Sequence, residues 1–164
     1  MSGAEDRVIA AAAAAGLEIT VRHFPEGTRT AEDAARAVGC EVGQIVKSLV
    51  FVADGRPVMA LVSGAHRLDP ARLAAALSAT EVERADGDFV REATGFAIGG
   101  VPPLGHARPL PTVMDRALLV HDLLWAAAGR PDVVFPVTPA DLERASGAMV
   151  ADLAADPSAD RGAG

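Results

Sequence analysis

The stretch GQIVKSLVFV, residues 43–52, places one lysine in a run of strand-forming apolar residues. Such a run predicts a buried β-strand with a cation at its mouth. Because a lysine is seldom left inside an apolar wall without a partner, the Lys47 ammonium is expected to reach water or to meet an anionic or carbonyl ligand in a cleft. Taken alone, Lys47 is interpreted more simply as a residue at the start of a strand whose ammonium lies in water.

A β-hairpin follows directly from this stretch. Residues 47–53 and 57–63 are nearly all apolar, and they flank the compact turn Asp54-Gly55-Arg56. An Asp-Gly pair between two apolar runs is a strong short-range hairpin signal. Since both arms are apolar on both sides, the hairpin is predicted to lie in the middle of the fold with both faces covered.

The remaining chain alternates helix-like and strand-like segments. Thr30 caps one predicted helix, with Asp33 in the capping-box position and Gly39 at its end. Helices are predicted over residues 5–15, 30–38, 69–77, 88–93 and 138–145, a loop over 26–29, and strands over 17–24, 81–85, 96–98, 112–115 (an edge strand), 123–128 and 133–137. This order favours an α+β fold with a mixed or largely antiparallel sheet.

Length and charge limit the classes of protein to consider. The 164 residues predict one domain over residues 1–155 and a flexible polar tail over 156–164. The net charge of −7 argues against a protein that coats nucleic acid, so any nucleic-acid partner must be gripped locally. A small basic mouth could be supplied by Arg22, His23, Arg29, Lys47, Arg67 and Arg108.

Several site types are not expected. Cys40 is the single cysteine, which rules out an internal disulfide and a cysteine-based zinc site. The four histidines lack the i, i+4 pairing of a helical metal site, so neither a metal nor a cofactor is predicted. The apolar run at residues 8–15 is too short to span a membrane and follows acidic residues, so we expect a soluble, cytoplasmic protein with no membrane partner.

A glycine- and proline-rich loop is the second candidate functional stretch. Gly99-Gly100 precede Pro102-Pro103 and Gly105. Paired glycines let backbone N–H groups approach an oxygen, and the prolines stiffen the loop, as in an oxyanion or phosphate cradle. A tight turn between strands needs the same residues. The loop matches neither a Walker nor a Rossmann fingerprint, and no serine sits in a nucleophile elbow.

Together these motifs resemble a known family. The segments TAEDAA (30–35), QIVKSLVF (44–51), LVSG (61–64), LDPARL (68–73) and TGFAIGGVPPLG (94–105) occur in this order. The ordered set resembles the YbaK/EbsC family of aminoacyl-tRNA deacylases, similar to the editing domain inserted in bacterial prolyl-tRNA synthetases. The resemblance covers about residues 8–154.

The resemblance implies a fold, an activity and a set of site residues. It implies an α+β domain with a mixed, barrel-like sheet surrounded by helices, and a free-standing hydrolase that deacylates mischarged tRNA such as Cys-tRNA(Pro) or Ala-tRNA(Pro). The implied partners are the 3′ end of the tRNA and a prolyl-tRNA synthetase. Lys47, Gly99 and Gly100 are the implied catalytic residues, and the implied substrate-binding residues are His23, Thr30, Ser63, Val101, Pro102, Ala127 and Gly129.

Two positions depart from the family pattern. Val101 stands where many members have a serine, and Ala127-Ala128-Gly129 stands where many have Ser-Gly-Gly. The lost hydroxyls predict a less polar pocket, which puts a cysteine substrate in question. They also motivate an alternative, a non-catalytic module of the same fold that binds aminoacyl-tRNA or a nucleotide.

Overall fold

The computed structural model describes residues 3–24 and 30–155. The predicted loop at 26–29 and the predicted tail at 156–164 lie outside these residues. The helices are α1 (Ala4–Ala14), α2 (Ala31–Val38), α3 (Pro70–Leu77), α4 (Gly87–Thr94) and α5 (Pro139–Ser146), with short 3₁₀ turns at Val42–Gln44 and Arg116–Val120. The strands are β1 (Arg22–His23), β2 (Ile45–Ala53), β3 (Arg56–Ser63), β4 (Val82–Arg84), β5 (Thr112–Asp115), β6 (Leu124–Ala127), β7 (Val133–Val137) and β8 (Met149–Ala151).

One mixed sheet organises the described residues. Its strand order is β1-β7-β6-β2-β3-β5-β8, and β4 pairs with β2 beside this path. Four pairings are antiparallel and three are parallel. The predicted α+β class is therefore confirmed. The sheet stays open, because β1 and β8 at its two ends do not pair with each other.

The central hairpin forms as predicted. Ala53 pairs with Arg56, which leaves the two-residue turn Asp54-Gly55 with positive φ at both positions, 49° and 83°. This is the turn type that matches the twist of the flanking strands. The Asp54 carboxylate also accepts backbone N–H groups of Thr80 and Glu81, so the turn is tied to the start of β4.

Both faces of the hairpin are covered. Val46, Val50, Met59 and Leu61 pack in the larger core cluster with α1 and α4, whereas alternate residues of the same strands, such as Phe51, pack in a second cluster with α3. The alternation follows the two-residue period of a strand. The hairpin lies in the middle of the sheet, as the apolar runs predict.

The ends of the helices agree with the capping signals. Thr30 accepts the N–H of Asp33, and Gly39 ends α2 in the left-handed conformation. Asp69 and Thr138 cap α3 and α5, each followed by proline in the first turn. None of the helices among the described residues has the length and apolar character needed to cross a membrane.

Three strand predictions need correction, and one strand was missed. Only Arg22–His23 of the predicted strand 17–24 pairs with another described strand, and the apolar side chains before it pack on the core outside any strand. Residues 96–98 form no strand; Phe96 is buried and a turn begins after it. Residues 112–115 are not at an edge, since β5 lies between β3 and β8. The short strand β8 was not predicted.

Candidate active site

A gap in the pairing of β2 creates the main cleft. On the side away from β3, β6 pairs with Ile45 and Val46, and β4 pairs with residues 51–53. Among the described strands, none pairs with residues 47–50 on that side. A cleft of about 530 Å³ opens here, directly beside Lys47.

Four parts of the chain line this cleft. They are the start of α2, the strand β2, strands β6 and β7 with the glycine loop against them, and β4 with the neighbouring residue Val90 of α4. The described residues that line it include Thr30, Lys47, Ser48, Arg84, Ile98, Gly99, Val101, Trp125, Ala127 and Val134. Most of the lining is apolar, so the few polar groups stand out as candidates for contact with a ligand.

Lys47 is half-buried in the cleft, and its ammonium donates a hydrogen bond to the backbone carbonyl of His66. One of its three donors is thereby used to orient the side chain. Burial lowers the pKa of Lys47, and the nearby positive charge of Arg67 lowers it further, while Glu32 acts in the opposite direction. Lys47 is therefore a positioned cation inside a wall and not a solvated strand start.

The glycine loop forms a tight turn against the cleft. The N–H of Gly100 donates to the carbonyl of Ala97 at 3.1 Å, and Gly99 between them has a φ of +94°. A turn with φ > 0 at its third residue favours glycine there. Gly99 lies in the cleft wall, whereas Gly100 lies behind it with its N–H already bonded. Of the two amides expected to face a substrate, that of Gly100 is thus bonded within the loop.

Gly100 is instead a packing glycine. A Cβ at this position would lie 2.7 Å from Arg130 Cα and 2.9 Å from the Gly129 carbonyl oxygen. The loop can therefore approach the β6–β7 turn only because a side chain is missing. On the far side of the loop, the carbonyl of Pro102 accepts a hydrogen bond from His106 Nε2 at 2.7 Å, which fixes the following residues.

Three of the seven predicted substrate-binding residues line the cleft, and four do not. Thr30, Val101 and Ala127 line the cleft, while Pro102 and Gly129 are not among its lining residues. His23 is exposed on the edge strand β1, where it pairs with Glu5 at 2.6 Å. Ser63 lines a separate small cavity.

Ser63 has a structural environment. Its hydroxyl donates a hydrogen bond to the carbonyl of Gly43 at 2.8 Å and accepts one from the N–H of Ala65 at 3.2 Å. The hydroxyl is therefore used both as a donor and as an acceptor within the protein. The residue is 1% exposed. Neither His23 nor Ser63 is among the residues that line the main cleft.

Two cleft residues were not identified from the sequence. The Ser48 hydroxyl is buried and has no hydrogen-bond partner among the described residues, although its sequence context showed nothing unusual. Trp125 follows the alternation of a half-buried strand and gave no separate signal. No group of three or more His, Cys, Asp or Glu residues in the described ranges is arranged to hold a metal ion.

Comparison with known proteins identifies the family. The family model described as the aminoacyl-tRNA editing domain matches residues 25–145, which contain the whole cleft. This chain belongs to the aminoacyl-tRNA editing domain family. The resemblance stated from the ordered motifs is thereby confirmed.

Solved structures and curated relatives agree with this family. A crystal structure assigned as a trans-editing enzyme for prolyl tRNA synthetase is 46% identical, with a TM-score of 0.90 over 95% of this chain and 99% of that one. The proline–tRNA ligase of Citrifermentans bemidjiense is 39% identical over 92 residues, 56% of this chain, and that of Elusimicrobium minutum is 41% identical over 76 residues, 46% of this chain. The aligned regions make up only 16% and 13% of these two ligases.

For this editing domain, Ser63→Ala separates a structural from a binding role. Because the change leaves the partly buried Gly43 carbonyl without its donor, we expect the free energy of unfolding to fall by about 1–3 kcal/mol. The rate of ester hydrolysis should stay at the wild-type value, since Ser63 does not reach the cleft. Urea denaturation and single-turnover deacylation of one preparation measure both quantities. A normal stability combined with a slow rate would return Ser63 to the substrate-binding set.

Proposed function

We propose that this editing domain acts as a free-standing deacylase that hydrolyses the ester of mischarged aminoacyl-tRNA, with a small amino acid attached to tRNA(Pro) as its substrate. The observation that carries the proposal is the placement of Lys47 and Gly99 on one cleft that the sheet leaves open. The 46% identical protein assigned as a trans-editing enzyme for prolyl tRNA synthetase supports it.

The reaction is ester hydrolysis. Water attacks the ester carbonyl carbon, and the bond from that carbon to the ribose oxygen breaks. The amino acid leaves as a free acid, and the ribose oxygen takes the proton. The described cleft lining contains no histidine, cysteine or carboxylate. The free ribose hydroxyl beside the ester can relay the proton, so the protein's part is to orient the ester and stabilise the developing charge.

The Lys47 ammonium and the backbone at Gly99 are the two groups suited to orient the ester and stabilise the developing charge. The Lys47 ammonium, held by the His66 carbonyl, presents its remaining donors to oxygens of the ester or the ribose. The backbone at Gly99 has no side chain between it and the cleft, so a carbonyl oxygen can approach closely. Both contacts strengthen as negative charge develops on the carbonyl oxygen, which favours the transition state over the bound ester.

The lining favours a small apolar amino acid. Val101 and Ala127 put methyl groups where many family members have hydroxyls, so a polar side chain such as serine would lose its hydrogen bonds on entering. Alanine carries no such cost. Among the substrates that the family suggests, alanyl ester is therefore expected to react faster than cysteinyl ester.

A panel of charged tRNAs tests the proposed function. The purified protein is presented with tRNA(Pro) carrying alanine, cysteine, serine or proline, and ester loss is compared with the spontaneous rate. We expect loss of the alanyl ester first and protection of the prolyl ester. Saturable binding with no ester loss on any member would instead establish the non-catalytic module.

The pKa of Lys47 predicts the pH dependence. If the charged form is required, activity falls as the pH rises through the pKa of Lys47, and burial places that fall at a lower pH than for an exposed lysine. Lys47→Arg keeps its charge throughout, so its rate should lack the alkaline decline whatever its absolute value. The measurement is single-turnover deacylation from neutral to alkaline pH with spontaneous hydrolysis subtracted. A wild-type profile identical to that of Lys47→Arg would show that the ammonium is not required.

A further inference from the structure

An aromatic and cationic cluster lies at one end of the cleft. The guanidinium carbon of Arg22 lies 5.5 Å from the centre of the Trp125 ring and 5.8 Å from that of Phe24. Trp125 is half-buried and lines the cleft, while Arg22 is exposed on the edge strand β1. Arg22 therefore lies over the indole ring with a side chain that is exposed and can move.

The sheet register connects this cluster to Lys47. Ala127 pairs with Val134, and Val134 pairs with Arg22. Continuing the parallel β2–β6 register by one residue places Lys47 beside Ala127. Two strand spacings of about 4.8 Å separate Arg22 from Ala127, or about 10 Å, and the cleft opens between Ala127 and Lys47. Between the two cations the floor consists of small side chains, with Trp125 along its flank.

This arrangement fits the end of a single RNA strand. Aromatic rings and guanidinium groups bind unstacked bases by stacking, and a cation beside them binds the phosphate. The ring of Trp125 offers the stacking face, and Arg22 offers the charge. In a chain of net charge −7, a local cation of this kind is what an RNA contact requires.

We propose that Trp125 is the stacking platform for the terminal base of the RNA 3′ end and that Arg22 binds the phosphate of the same nucleotide. The base takes the place that the guanidinium now holds over the indole, and the guanidinium turns to the phosphate. The ester attached to the same nucleotide then extends along the small-residue floor to Lys47. This inference deepens the proposed function and rests on it for the identity of the RNA.

The fluorescence of the protein tests the proposal without any catalysis. Trp125 is the single tryptophan and the chain has no tyrosine, so the intrinsic signal reports this position. The protein is titrated in separate experiments with two RNAs that carry no amino acid. One is an acceptor-stem RNA ending in CCA, and the other is the same RNA without its terminal adenosine. We expect saturable quenching by the first RNA and an affinity at least about fivefold lower for the second, as stacking of one base implies. Equal quenching curves for the two RNAs would overturn the proposal.

Matched variants separate stacking from packing. Trp125→Phe and Trp125→Leu both fill the space against α2, but only phenylalanine offers a ring. With labelled RNA, Trp125→Phe should keep part of the preference for the terminal adenosine and Trp125→Leu should lose it. A Trp125→Leu protein with the wild-type preference would overturn the stacking role.

Arg22→Gln tests the phosphate contact. We expect it to weaken binding of the full-length RNA and to reduce the slope of its log affinity against log salt by about 0.7, the value for one phosphate of a single strand. The shortened RNA lacks that phosphate, so its affinity should stay unchanged. An unchanged slope would remove Arg22 from the contact. None of these RNAs carries an amino acid, so the binding experiments do not depend on ester hydrolysis. Their result can be interpreted even if the substrate panel shows no deacylation. Quenching that depends on the adenosine, without ester loss, would support the platform and reject the deacylase.

Discussion

Lys47→Ala is expected to lose at least tenfold in single-turnover deacylation while its melting temperature stays within a few degrees of the wild-type value. The change removes one charge-assisted contact to the substrate, worth roughly 1.5–3 kcal/mol. At about 1.36 kcal/mol per decade, this corresponds to one to two decades of rate. Stability changes little because the lysine is only half-buried and its removal also ends the cost of burying a charge.

Lys47→Met is the control for this variant. Methionine keeps an unbranched stem against the strand but has no donor for the His66 carbonyl or for a substrate oxygen. Both variants should therefore be slow, with Lys47→Met closer to the wild type in stability. A folded Lys47→Ala protein with undiminished activity on its true substrate would remove Lys47 from the mechanism.

Gly100→Ala is expected to reduce both stability and activity. Its Cβ would lie 2.7 Å from Arg130 Cα and 2.9 Å from Arg130 N, and backbone atoms of a packed turn cannot rotate away. Overpacking of this kind costs about 1–3 kcal/mol in the free energy of unfolding. The glycine loop must then move off the β6–β7 turn, and a displacement near 1 Å can lower a rate by about 100-fold. Thermal unfolding and single-turnover deacylation measure the two effects.

Gly99→Ala and Gly55→Ala separate the causes. Gly99 has a positive φ of 94°, but its Cβ would meet only Pro131 Cγ at 3.7 Å, so we expect backbone strain and a methyl group in the cleft. Gly55 has a similar φ of 83° and nothing within 4 Å, which makes it the control for strain alone. Wild-type activity in Gly100→Ala would show that the loop tolerates displacement and would contradict its role in shaping the cleft.

Local signals were sufficient for much of the fold. The Asp54-Gly55 turn, the cap at Thr30 and the glycine that ends α2 each depend on a few adjacent residues, and each forms as predicted. Such signals act through the backbone conformation of neighbouring residues, which the amino-acid sequence specifies directly. The same reasoning was wrong for residues 112–115, because prolines just before a strand do not reveal what pairs on its two sides.

The candidate site was only partly accessible to this reasoning. The sequence by itself identified Lys47 as a lysine that needs a partner and Gly99 as a point of close backbone approach, since both follow from residue type in a local pattern. Only the tertiary structure decided that β6 and β4 leave residues 47–50 open between them, that Ser63 turns to the Gly43 carbonyl, and that Arg22 meets Trp125. These outcomes depend on the register between strands far apart in the chain, and a shift of one residue would move every side chain to the opposite face.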